Sequence, residues 1–172
     1  MDSMSAFDTA IIVYDMNEGN RRPEFDEVLE EMQNIIDNNF KFCLKVFFVD
    51  NHNKESKEIK LCGDHCTKRG DKNVVSELLK YGDMRVFEKN CKNGMFAPNF
   101  PTWFFRNLHI NNYIIMGYQF DEFARSLMSY ICQEGIETNL IVDERCVVDS
   151  GLKEAELELM RRSGIKVGRL VE

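Results

Sequence analysis

The sequence contains no run of about eighteen consecutive apolar residues, the length a helix needs to cross a bilayer, so no transmembrane helix is expected. It also lacks an excess of positive charge: 22 Lys and Arg stand against 29 Asp and Glu, for a formal net charge of -7. Nucleic acid and anionic membrane are therefore not expected partners, and a small neutral or cationic ligand suits the balance better. The opening residues MDSMSAFDTA have no basic stretch leading into an apolar run, so no secretory signal is read and a cytoplasmic location is expected. No internal repeat, low-complexity tract or interdomain linker interrupts the chain. At 172 residues with 44% hydrophobic content it is long enough for one sizeable core and short for two, so residues 1–172 are read as a single domain.

Six cysteines, at positions 43, 62, 66, 91, 132 and 146, raise the question of a disulfide framework. A chain of this length with its own apolar core does not need one, and the thiols are read as reduced. They are then candidates for packing, metal ligation or catalysis. Cys43 and Cys132 fall on apolar faces of a predicted strand and helix, where packing is the expected role.

Short apolar runs bounded by turn residues recur along the chain: TAIIVYD (9–15), FCLKVFFVD (42–50), MRVFE (84–88), YIIMG (113–117), NLIVD (139–143) and KVGRLV (166–171). Near-continuous apolar runs of this kind suit strands covered on both faces, as in a parallel sheet. Helical spacing fills the intervals. PEFDEVLEEMQNIIDNN (23–39) starts with a proline, carries early carboxylates and aligns Phe25, Val28, Leu29, Met32, Ile35 and Ile36. NVVSELLKYG (73–82), NFPTWFFRNLHI (99–110), FDEFARSLMSYICQEG (120–135) and LKEAELELMRRSG (152–164) follow, three of them closed by glycine. Alternation of strand and helix predicts a three-layer α/β/α fold with a doubly wound, mainly parallel sheet of about six strands.

In such a fold the carboxyl ends of the strands share one edge, and chemistry collects there. Asp15, Lys89, Gly117 and Asp143 are all read at or just after strand ends. The long irregular piece 51–72 adds His52, two residues after Asp50, together with Cys62, His65 and Cys66. Carboxylate, imidazole and thiolate are ligands of zinc and related divalent ions. Two sets remain open: Asp50, His52 and His65 with a vacant position, or a closed set of His52, Cys62, His65 and Cys66.

These residues together resemble the isochorismatase-like cysteine hydrolases, and within them the nicotinamidases. The similarity runs over roughly residues 9–151 and rests on the strand ending in IIVYDMNEG, the Asp50-x-His52 pair, His65 and Cys66 in a polar loop, a lysine after the third strand, and a strand, glycine and helix near the end. It implies the same three-layer fold, a divalent metal, zinc for preference, held by Asp50, His52 and His65, and a small aromatic amide-like ligand contacted by Asn17, Phe96 and Gly117. It implies that Asp15 and Lys89 stand beside the nucleophile, with Lys92 the alternative lysine. The family nucleophile is a cysteine six residues beyond the glycine, and that position is Phe123.

A benzyl side chain has no lone pair with which to form an acyl-enzyme. Asp121 and Glu122 beside it would also oppose a thiolate. The expected function is accordingly that of a pseudoenzyme, in which Asp15 and Lys89 are a vestigial pair and the protein acts by binding a small molecule or a protein partner, with homo-oligomers as one form. The alternative is an active amidohydrolase that uses either an open metal site, an activated water and Asp15 as base, or a relocated thiol such as Cys91 or Cys146.

Overall fold

Six strands pair side by side, all parallel, in a computed structural model that describes residues 5–55, 57–62, 65–81 and 84–170. They are β1 (Thr9–Tyr14), β2 (Leu44–Asp50), β3 (Arg85–Lys89), β4 (Asn112–Gly117), β5 (Asn139–Val147) and β6 (Lys166–Gly168), in the spatial order β3-β2-β1-β4-β5-β6. The chain steps outward from β1 to β3, then returns to the other flank of β1 with β4. The order therefore reverses between β1 and β4, which is where a doubly wound sheet opens a crevice at its carboxyl edge.

Strand alternation divides the core into two layers. Ile11, Val13, Phe47 and Val49 pack with the apolar face of α1 (Pro23–Asn39), whereas Ile12, Tyr14, Val46 and Phe48 pack with α3 (Phe100–Arg106), α4 (Asp121–Glu134) and α5 (Lys153–Arg162). All six residues of β1 are buried, which explains why the run reads as continuously apolar. In α1 the six aligned apolar residues are buried, Pro23 opens the helix, and Glu24 and Asp26 occupy its first turn where the dipole favours them. Gly135 closes α4 in a left-handed conformation.

The expected architecture is present, with the sheet wholly parallel. Three local expectations are corrected. Residues 73–81 form only a 3-10 turn, Ser76–Leu78, in place of a full helix, because the chain before it is engaged elsewhere: Val74 bridges to Asn17 and the Val75 N–H donates to Met16 O. Gly82, the expected stop, lies outside the described residues. The piece 51–72 carries a short helix, α2 (Lys57–Cys62). Cys43 is buried as expected, but Cys132 is exposed near the end of α4. Among the described residues no helix is long and apolar enough to cross a membrane.

Candidate functional site

Because β3, β2 and β1 are neighbours in register, their last residues converge. Lys89, the end of β3, lies opposite Asp50, the end of β2, and Asp15 follows β1 directly. The Lys89 ammonium, 1% exposed, stands 2.9 Å from Asp15 Oδ2 and also meets Asp50 Oδ1. A buried cation between two carboxylates is stable only as a paired unit. Burial opposes the charged form of Lys89, but the charges of Asp15 and Asp50 outweigh it and hold its pKa above the ordinary lysine value. Burial likewise opposes the Asp50 carboxylate; hydrogen bonding with His52 and the charge of Lys89 prevail and hold its pKa below the ordinary range. Lys92 sits apart, half exposed, 3.7 Å from Asp121, so Lys89 is the lysine of this edge.

Beside this unit, Asp50, His52 and His65 bring one ligand atom each within 4.8 Å of one another. His52 Nδ1 lies 3.2 Å from Asn90 O and Nε2 lies 3.4 Å from Asp50 Oδ1. With Nδ1–H donating to that carbonyl, an ion at the cluster would take the Nε2 lone pair in place of the Nε2–H hydrogen bond to Asp50, the arrangement that orients metal-binding histidines. Asn20 Nδ2 donates to Asp50 Oδ2 at 2.9 Å and steadies the carboxylate from behind. This donor set, one carboxylate and two imidazoles, suits zinc and its neighbours, so the residues fit a divalent ion. Cys66 does not join them: its thiol donates to Asn20 Oδ1 at 3.2 Å and accepts from Asn17 Nδ2 at 3.4 Å. The Cys62 side chain lies outside the described residues.

The first turn of α4 carries Phe123, fully buried. Its ring packs against Phe48, with centroids 4.9 Å apart, Phe100 at 5.6 Å and Tyr14 at 5.0 Å. Alternation along β1 sends Tyr14 to the α4 layer, while Asp15, at φ 54°, directs its carboxylate to Lys89. Tyr14 is thus the side chain that joins the two halves of the edge, with Lys89 Nζ 4.9 Å from its ring centre and Gly94 N–H donating to its hydroxyl at 2.7 Å. Strict period-two alternation from Ile12 places Tyr14 on the α4 face, a signal obscured in the sequence by the charged residue that follows it.

Other expected residues fall as follows. Gly117 ends β4 against Tyr14, and a Cβ there would lie 2.2 Å from Tyr14 O at φ +123°, so no other residue fits without displacing β1. Asn17 is fully buried and occupied by protein partners, donating to Asp71 O at 2.7 Å and accepting from Asn20. Phe96 is 74% exposed and borders a shallow cavity of about 500 Å³ on the outer side of α4, so it does not close a pocket over Phe123. Asp143 does not end its strand: β5 continues to Val147, and the carboxylate is bound by the Arg145 guanidinium and the Leu170 N–H. The thiols of Cys146, Cys66 and Cys91 are each engaged within the protein. Cys146 is packed in the α1 layer, its pKa pushed up to about 12 by burial and by Asp143. Burial together with Asp50 and Asp15 pushes Cys66 up to about 12 as well. The Cys91 thiol donates to Asn93 O at 3.4 Å.

No protein-family model matches the chain, and no curated protein matches it by sequence. Solved structures do. The chain is similar to an N-carbamoylsarcosine amidase from Thermoplasma acidophilum, with a TM-score of 0.78 at 20% identity over 95% of this chain and 97% of the other. It is similar to a cysteine hydrolase from Pseudomonas syringae pv. phaseolicola 1448A, with a TM-score of 0.79 at 13% identity over 98% and 92% of the two chains. A pyrazinamidase of Pyrococcus horikoshii in complex with zinc gives a TM-score of 0.73 at 20% identity, over 95% and 99%. An isochorismatase-like hydrolase from Alkaliphilus metalliredigens gives 0.75 at 16% identity, over 94% of each. The fold is that of the isochorismatase-like hydrolases.

Proposed function

We propose that the chain is a nicotinamidase-like member of this hydrolase group that has lost thiol-dependent amide hydrolysis and acts by binding a small aromatic amide-like molecule or a protein partner. One observation carries the reading: the first turn of α4 presents a fully buried phenylalanine, wedged among Tyr14, Phe48 and Phe100, where the group's nucleophilic cysteine is expected. Acyl transfer needs a thiolate beside a base at that place, and an aromatic cluster supplies neither. Asp15 and Lys89 are then an internal ion pair that holds the edge together. Their closed pairing, with Asp50 on the same ammonium, supports a structural use of groups that elsewhere do chemistry.

Asp50, His52 and His65 are the residues that would hold a divalent ion, zinc for preference, since the set matches zinc chemistry and a similar pyrazinamidase carries zinc. Such an ion supplies Lewis acidity and fixes the position of a ligand's oxygen or nitrogen. The three-residue set also favours a second reading, metal-dependent hydrolysis of an amide, because catalytic zinc sites keep a position open beside three protein ligands.

Ammonia release from nicotinamide, pyrazinamide and related amides by the purified protein separates the readings. The pseudoenzyme reading expects none above background, with or without added zinc. Turnover abolished by chelation and indifferent to iodoacetamide would establish the second reading in its place; turnover abolished by iodoacetamide would sink both.

A further inference from the structure

A second cleft, of about 880 Å³, lies at the opposite end of the sheet from Asp15, Asp50 and Lys89. Its walls are the segments that lead into strands: Ala6, Phe7 and Thr9 before and at the start of β1, Lys41 to Lys45 at the start of β2, and His109 and Ile110 before β4. The volume is that of a small-molecule site, roughly 300–1,000 Å³, and its concavity sets it apart from a flat protein interface.

Its chemistry runs against that of the whole molecule. The chain carries a net charge of -7, yet the cleft collects Lys41, Lys45 and Lys80 against the single carboxylate of Asp37. Lys80 is paired with Asp37 at 2.7 Å. Lys45, 7% exposed, donates to Cys43 O at 2.9 Å and to Lys41 O, so its charge is fixed in the wall rather than carried on a mobile tether. Lys41 is exposed, with its ammonium 6.0 Å from the ring centre of Phe42. Phe42 and Phe7 are 83% and 90% exposed, two bare rings on the rim of one cleft. Scattered apolar side chains in water are ordinary; two aromatic rings grouped around a cationic hollow form a binding surface.

The geometry points to a second ligand site here, for a small aryl carboxylate, with the acid at Lys41 and Lys45 and the aromatic body against Phe7 and Phe42. A carboxylate gains from the ammonium of Lys45 held in the wall and the exposed one of Lys41 beside it in sequence at the same cleft, and its ring covers the surfaces that water now meets. The site is independent of the metal triad and of Phe123, which occupy the other edge.

The test uses 1-naphthoate as probe and 1-naphthalenemethanol, the same ring system without charge, as comparator, titrated calorimetrically into the full chain. Saturable one-to-one binding of naphthoate, about tenfold tighter than the alcohol and weakening as salt is raised, is expected. Lys41→Glu and Phe42→Ala change exposed side chains, so their melting curves should match the parent while naphthoate binding falls about tenfold or more. His52→Ala should leave binding unchanged. Equal affinity for acid and alcohol, full affinity in Lys41→Glu, or loss of binding in His52→Ala would each overturn the proposal. So would concentration-dependent self-association abolished by Phe42→Ala, which would give the rim to a second copy of the chain.

Discussion

Tyr14 and Phe123 stack with ring centroids 5.0 Å apart and planes 23° apart, tying the end of β1 to the first turn of α4. Asp15, one residue further on, meets Lys89 instead. A thiol placed at 123 would therefore face a phenol that burial and the nearby Asp15 keep protonated far above its ordinary range. Phe123→Cys alone is expected to release no ammonia from nicotinamide. The double variant Tyr14→Asp, Phe123→Cys places a carboxylate against the new sulfur, whose charge opposes the thiolate, so its rate of alkylation by iodoacetamide at neutral pH should fall below that of the single variant. Amide hydrolysis by Phe123→Cys alone would show that Asp15 reaches the helix and that Tyr14 is no obstacle.

Phe123→Ala removes a ring held by three aromatic neighbours. A loss of roughly 3–5 kcal/mol is expected from the cavity and the vanished stacking. Urea denaturation followed by circular dichroism measures it, and a loss below about 1 kcal/mol would mean that the cluster is loosely packed.

Zinc or cobalt should bind one to one and raise the melting temperature, by linkage equivalent to about 2.7 kcal/mol at a free concentration one hundred times Kd. His52→Ala and His65→Ala should each weaken binding by a hundredfold or more, whereas Cys66→Ser should leave it nearly unchanged. The cobalt form should lack intense sulfur charge-transfer absorption. Strong absorption of that kind would transfer the site to the cysteine set.

Gly117→Ala forces a Cβ to within 2.2 Å of Tyr14 O and demands φ +123° of an L side chain. Failure to accumulate as folded protein is expected. Gly135→Ala, at φ +64° with open space around the added carbon, should fold and lose roughly 1 kcal/mol. Equal losses at the two positions, read by chemical denaturation, would refute the steric account of the β1–β4 contact.

Asp143 is wholly buried, and burial alone would raise its pKa. Hydrogen bonds from the Arg145 guanidinium and from the Arg145 and Leu170 N–H groups prevail, so the folded value lies below the unfolded one, about 3.9. The sign follows: this stabilisation is complete above the unfolded value and is lost as pH falls through the folded one. Asp143→Asn should cost roughly 2–4 kcal/mol at pH 7 and flatten the acid limb of the stability curve below about pH 4. A variant whose acid limb keeps the parent's slope would exclude Asp143 as its source.

Apolar periodicity alone determined the layers. Runs such as TAIIVYD and the aligned face of residues 23–39 leave few ways to bury their side chains, and a parallel sheet with helices on both faces follows. The Asp50-x-His52 spacing similarly exposed a metal-binding candidate, because ligand chemistry is a property of residue type. Three-dimensional packing decided the rest. Whether Cys66 turned to the histidines or to Asn17 and Asn20 depended on how the loop after β2 folds over the segment after β1, a contact between residues 46 and more positions apart. That Asp15 meets Lys89 depended on the left-handed turn at Asp15, made beside Gly117 from a strand about a hundred residues away. Local pattern reports which side chains must be hidden from water; only the meeting of distant segments selects the partner each buried polar group finds.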